Sequence, residues 1–120
     1  MRRIALSLFL FCTVNMINAQ NPFFEKYNTP HQTVPFDKIK NEHFKPAILE
    51  GIKRHETDVT TITNNPAAPT FDNTILAMEN AGELLGEVNR VFGNYNSANT
   101  NDELQNIAKE VAPALSAHAD

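Results

Sequence analysis

Cysteine and positive charge are both scarce in these 120 residues. The only cysteine is Cys12, so no disulfide can form within the chain. Ten Lys and Arg residues face 14 Asp and Glu residues, for a net charge of -4, and there is no basic stripe or tail. A nucleic-acid partner therefore has no electrostatic support, and we expect none. Since 42% of the residues are hydrophobic and 20% charged, the composition is that of a globular protein rather than a disordered one.

The sequence also lacks, near its N-terminus, an apolar run of the roughly 20 residues that a helix needs to cross a bilayer. Residues 1–19 instead have the three parts of a secretory signal peptide. Arg2 and Arg3 precede a charge-free apolar core over residues 4–14, and a short polar stretch ends at the small residue Ala19. We predict export to the periplasm or the extracellular space, with no stable membrane anchor after cleavage.

Two other interpretations of this segment are an N-terminal anchor or buried helix, and a lipoprotein signal ending at Cys12. The lipoprotein interpretation is disfavoured because Phe11 stands where a small residue is expected before a lipidated cysteine. Removing residues 1–19 leaves eight basic and 14 acidic residues and no cysteine. A chain without free thiols suits an oxidising compartment.

Residues 20–40 are predicted to form an extended arm. Pro22, Pro30 and Pro35 fix φ and remove backbone donors, so this stretch does not favour a helix. Several aromatic and apolar residues are interspersed along it: Phe23, Phe24, Tyr27, Val34 and Phe36. Side chains of this kind favour an arm that lies on other protein and buries its rings.

Residues 41–120 are predicted to be helical. In the first helix, Pro46 falls in the first turn, where its missing N–H is harmless. Apolar residues recur at intervals of three, four or multiples of these, with His55 in the remaining place; they are Phe44, Ile48, Ile52, Val59 and Ile62. The polar and proline-rich stretch over residues 64–69 ends this helix.

A second helix is expected to begin at a cap provided by Thr70 or Asp72. Its stripe runs through Ile75, Met78, Leu85, Val88 and Phe92. Gly82 and Gly86 leave space for the close approach of another helix, at a cost of about 1 kcal/mol each relative to alanine. Asn94, Asn96 and Asn99 mark its end.

A third helix is expected to start at the capping-box pair Thr100 and Glu103. Its stripe comprises Leu104, Ile107, Val111 and Leu115. Pro113 should kink it, because proline cannot donate and clashes with the preceding turn. No closing signal precedes Asp120, which we interpret as truncation in mid-helix. The fold is therefore predicted to be all-α, an extended arm plus about three amphipathic helices, packed on more protein than these residues provide.

No catalytic, cofactor-binding or metal-ligating residue is assigned. The zinc-helix pattern needs His at positions i and i+4, with Glu beside the first. His55 and Glu56 start such a pattern, but Val59 occupies the second ligand position. We interpret His55 as a partly buried residue on a helix face. The other histidines, His31, His43 and His118, have no ligand spacing among them.

Acidic residues four apart, Glu79 and Glu83 and then Glu83 and Glu87, have the spacing of a carboxylate dyad. A solvated helix face has the same pattern and is the interpretation we adopt. No Gly-rich phosphate loop and no nucleophile-elbow serine is present.

Several separated blocks, in order, resemble the opening of bacterial peptidyl-dipeptidases (dipeptidyl carboxypeptidases) of the thimet oligopeptidase and neurolysin family. The blocks are NPFF at residues 21–24, PFDKI at 35–39, EHFKPA at 42–47, NP at 65–66, PTFDNTI at 69–75, LAME at 76–79, GELL at 82–85, VF at 91–92 and SANTNDELQ at 97–105. Each block alone is weak, but their order across the chain makes the resemblance specific.

The resemblance implies an N-terminal lobe of a larger, two-lobed helical zinc metallopeptidase. Such enzymes remove dipeptides from the C-termini of oligopeptides or cleave short peptides. The family's His-Glu-x-x-His motif and its Zn²⁺ ligands would lie downstream, so the 120 residues by themselves are expected to bind no zinc and to be inactive. The alternative hypothesis is a freestanding exported helical binding module without enzymatic activity.

Overall fold

A computed structural model describes residues 21–119. The predicted signal peptide and Cys12 lie outside the described residues. The chain divides into two compact units, with the boundary between Ile39 and Lys40. Among residues 21–119 there are helices and turns but no β-strand, so the predicted all-α class is confirmed.

The first unit, as described from residue 21 to Ile39, is extended chain interrupted by short 3₁₀ turns. The first turn, Pro22–Phe24, begins where the Asn21 side-chain oxygen accepts the Phe23 N–H at 3.1 Å. The aromatic side chains differ in their exposure, since Phe23 is buried and Phe36 is exposed. Burial of the rings is therefore uneven along this stretch.

The first helix of the second unit, α1, spans Phe44–Thr63 and agrees with the prediction. A 3₁₀ turn at Asn41–His43 leads into it. Phe44, Ile48 and Ile52 are buried on its inner face, as their spacing predicts.

The predicted second helix is instead two helices. A π-helical turn at Phe71–Leu76 runs into α2, Ala77–Asn80, and α3 follows at Glu83–Ala98. The break falls at Gly82, whose φ of 73° lies in the left-handed region. Glycine adopts this conformation without steric cost. Gly82, predicted to lie inside a single helix, therefore separates α2 from α3. Of the two predicted caps, Thr70 is the one that accepts a backbone N–H.

The last helix, α4, spans Asp102–Ala119, but the predicted cap at its start is wrong. The Asn101 side chain, not that of Thr100, accepts the Leu104 N–H, at 3.0 Å. Glu103 contacts Asn41 near the start of α1 instead of closing a capping box. Pro113 lies inside α4, and the helix continues beyond it.

The core of the second unit forms where α1, α3 and α4 meet. The Phe44 ring lies 5.1 Å from that of Phe92 and 5.4 Å from that of Tyr95, measured between centroids. Gly51 of α1 meets the backbone of Leu85 in α3, which allows the two helices to approach closely. The buried apolar residues contributed by α3 and α4 are Leu85, Val88, Val91, Phe92, Leu104, Ile107 and Val111.

Candidate functional site

The structure brings two histidines together that the sequence leaves 63 positions apart. Nδ1 of His55, on α1, lies 2.9 Å from Nε2 of His118, in the last turn of α4. The rings meet edge to face, with centroids 4.9 Å apart and an interplanar angle of 66°. His55 is half-buried, as predicted, but its pairing with His118 has no signal in the local sequence.

The exposed carboxylate of Glu56 lies next to this pair. It is 3.7 Å from Nδ1 of His118, the nitrogen that faces away from His55. A neutral imidazole donates from one nitrogen and accepts at the other. In the contact between the rings, one of the two facing nitrogens donates its N–H and the other accepts it. The pair therefore acts as a hydrogen-bonded clamp between α1 and α4.

This arrangement does not fit a hydrolytic zinc ion. Such a site uses about three protein ligands and keeps a position open for water. Among the described residues, no group of three or more His, Cys, Asp or Glu side chains is placed to hold a metal. In the pair itself, the two nitrogens already face each other as hydrogen-bond partners.

The remaining histidines lie elsewhere. His31 is in the 3₁₀ turn Pro30–Gln32 of the first unit, and His43 is at the end of the turn that precedes α1. Of the two acidic pairs singled out in the sequence, the break at Gly82 separates Glu79, in α2, from Glu83, in α3, whereas Glu83 and Glu87 both lie in α3. The prediction that Glu79 and Glu83 share one helix is therefore wrong, but both residues are exposed, in agreement with their interpretation as solvated residues.

A groove of about 450 Å³ opens between α1 and the segment from α2 to α3. Its charges are mixed, and several are already engaged. Arg54 pairs with Glu50 at 2.9 Å, and the Asp58 carboxylate accepts the Gly82 N–H at 3.3 Å. The other lining residues are Lys53, Thr57, Asn80, Glu83 and Leu84. No nucleophile is paired with a base in this lining, so the groove has no hydrolytic constellation.

His43 has a structural role at the entrance to α1. Its Nδ1 accepts the Lys40 N–H at 3.1 Å, which requires that nitrogen to be unprotonated. Burial lowers the pKa of His43 below its ordinary value of 6.5; Glu42 opposes this lowering of the pKa and Lys40 adds to it. The buried residue is thus held neutral while it closes the turn.

We expect the free energy of unfolding to fall as the pH decreases around and below 6.5. The unfolded His43 takes up a proton there before the folded one does, so protonation favours the unfolded chain. One such group contributes a slope of at most about 1.4 kcal/mol per pH unit. Urea denaturation at several pH values measures this slope.

Two substitutions separate titration from hydrogen bonding. Both His43→Asn and His43→Ala should remove the contribution of His43 to the slope. At pH 8, His43→Ala should cost about 1–3 kcal/mol, because the Lys40 N–H loses its acceptor, while His43→Asn retains a side-chain oxygen. An unchanged slope in both variants would contradict this account.

No helix among residues 21–119 combines the length and apolar character needed to cross a membrane.

Comparison with known proteins gives relatives of two named kinds. The chain is 41% identical over 97 residues to the dipeptidyl carboxypeptidase of Salmonella typhimurium, and 39% identical over 99 residues to that of Escherichia coli. These matches cover 81% and 82% of this chain, but 14% of each relative. Oligopeptidase A of Escherichia coli is 25% identical over 91 residues, which are 76% of this chain and 13% of that protein. No family model matches the chain. The chain thus spans about one seventh of the length of the relatives it matches.

Proposed function

We propose that this chain, which belongs to the family that contains dipeptidyl carboxypeptidase and oligopeptidase A, is the non-catalytic N-terminal piece of a zinc metallopeptidase. The parent enzyme removes dipeptides from the C-termini of oligopeptides or cleaves short peptides. The observation that carries this proposal is the 41% identity to a dipeptidyl carboxypeptidase over 97 residues that make up 14% of that relative.

The side chains that could ligate a metal support a non-catalytic role for the chain. In zinc peptidases the metal polarises the scissile carbonyl and activates a water, with a carboxylate as base. His55 and His118 supply two nitrogens directed at each other, and Val59 stands where the second histidine of a zinc helix would be. In this proposal the Zn²⁺ ligands of the parent lie beyond residue 120, and the described helices form part of its N-terminal lobe.

Peptides are the proposed partners, reached through the parent enzyme rather than through a site in this piece. The net charge of -4 gives nucleic acid no favourable surface. Export to the periplasm or the extracellular space is also proposed, on the three-part pattern of residues 1–19.

One experiment tests both the parent and its export. The complete reading frame is sequenced beyond the codon for Asp120, expressed, and its product analysed by mass spectrometry. The proposal requires a downstream His-Glu-x-x-His motif and a mature N-terminus close to Gln20. A stop codon directly after Asp120 in an intact gene would favour the freestanding binding module instead, and an intact Met1 in the cytoplasmic fraction would contradict export.

A further inference from the structure

The helical segment between Phe71 and Asn80 presents an unusual amount of apolar side chain to solvent. None of its ten residues is buried. Four large apolar side chains are exposed, at 68%, 58%, 44% and 47% of their surface; these are Phe71, Ile75, Leu76 and Met78, hereafter the α2 face. Burial of such side chains is worth about 1.5–3 kcal/mol each, and the chain leaves most of that stabilisation unused.

Local polar contacts hold the α2 face in place despite this exposure. The Thr70 hydroxyl accepts the Asn73 N–H at 3.1 Å, and the Asn73 side-chain oxygen accepts the Thr70 N–H at 2.8 Å. The Asn73 amide also donates to the Ala68 carbonyl at 2.9 Å. A reciprocal cap of this kind fixes the start of a helix without a core beneath it. The segment is therefore shaped in advance, with its apolar side chains directed outward.

Three of the four apolar side chains have the spacing of residues that share one face of a helix. Phe71 and Ile75 are four residues apart, and Met78 follows three residues later. This is the periodicity of one apolar helix face. The only charged residues of the segment are Asp72 and Glu79. An exposed apolar cluster of this type marks a protein contact rather than a solvated surface.

We infer that the α2 face packs against the part of the parent polypeptide that lies beyond residue 120. This inference rests on the proposed function. The matched relatives are about seven times longer than the region matched, so most of such a protein is available to cover the face. Covalent linkage gives that part an effective concentration on the order of mM, which favours it over a second copy or a separate protein.

Thiol labelling of the complete protein tests the inference. The described residues contain no cysteine, so Ile75→Cys introduces a site whose labelled peptide can be followed by mass spectrometry. The native protein should react with a maleimide at least about tenfold more slowly at this position than the same protein unfolded in urea. Met78→Cys repeats the measurement from the next turn and covers a failure of the first variant to fold.

The outcomes separate the possible occupants of the face. Protection that is unchanged on dilution is the expected result. Protection that disappears on dilution would identify a second copy, and full reactivity in the native protein would identify an uncovered face; each overturns the inference. A complete protein that hydrolyses peptides but labels fully at both positions leaves the proposed function standing. A reading frame that ends at Asp120 contradicts both.

Discussion

Replacing Phe44 with alanine should lower the free energy of unfolding by about 3–5 kcal/mol, the range for removing a buried aromatic side chain. Phe44 is 0% exposed and is the first residue of α1. Its ring contacts those of Phe92 and Tyr95 on α3, so alanine leaves a cavity and also removes two aromatic contacts. Urea denaturation followed by circular dichroism measures the loss.

The matched control, measured like Phe44→Ala in the 120-residue chain, is Phe71→Ala, in which the same side chain is removed from a position that is 68% exposed. Substitutions at exposed positions usually change stability by no more than about 0.5 kcal/mol. Losses of similar size in the two variants would show that Phe44 is not part of the core as described.

Gly51→Val is expected to have the second large effect, a loss of about 3 kcal/mol. A Cβ at Gly51 would lie 2.9 Å from Cα of Leu85, so a side chain there collides with the backbone of α3. Two helices would have to separate to admit it, and overpacking of this kind typically costs about 1–3 kcal/mol, occasionally more. The valine side chain adds further atoms and a restricted χ1 angle to the collision.

Gly86→Ala is the control for the intrinsic effect of replacing a helical glycine. A Cβ at Gly86 meets only Nη1 of Arg90, at an ordinary contact distance of 3.6 Å. Alanine stabilises a helix by about 1 kcal/mol relative to glycine, so this variant should be at least as stable as the unsubstituted chain. Stabilisation by Gly51→Val would contradict the described crossing of α1 and α3.

The glycines of the chain show how much of the fold the sequence can predict. Periodicity is a local property, and it correctly predicts α1 from Phe44 to Thr63 and the apolar faces of α3 and α4. The role of each glycine depends on tertiary contacts. In the sequence, Gly82 and Gly86 look equivalent, yet Gly82 has the left-handed φ and would place a Cβ 2.9 Å from the His55 ring. The break between α2 and α3 therefore has no unambiguous local signal.

The start of α4 illustrates a different limit. Thr100 and Asn101 are adjacent, and both are residue types that cap helices. The spacing to Glu103 favours Thr100, but Glu103 reaches Asn41 across the interface with α1. A side chain with a partner 62 positions away cannot be assigned from its neighbours in the sequence.

The histidine pair and the exposure of the α2 face also cannot be predicted from the local sequence, because both depend on how the helices pack. His55 and His118 meet only because α1 and α4 pack together. The predicted apolar stripe includes both Ile75 and Val88, but Val88 is buried within the chain and Ile75 is exposed. Periodicity identifies an apolar face of a helix; it does not identify what covers that face.

The central claim is that this chain belongs to a peptidase family but has no catalytic site of its own. One assay tests it most directly. C-terminal dipeptide release from a short peptide is measured with zinc present, for the 120-residue chain and for the product of the complete reading frame. We predict metal-dependent release by the longer protein and none by the chain alone. Metal-dependent release by the 120-residue chain, abolished by His55→Ala or His118→Ala, would contradict the claim and place the chemistry at the histidine pair.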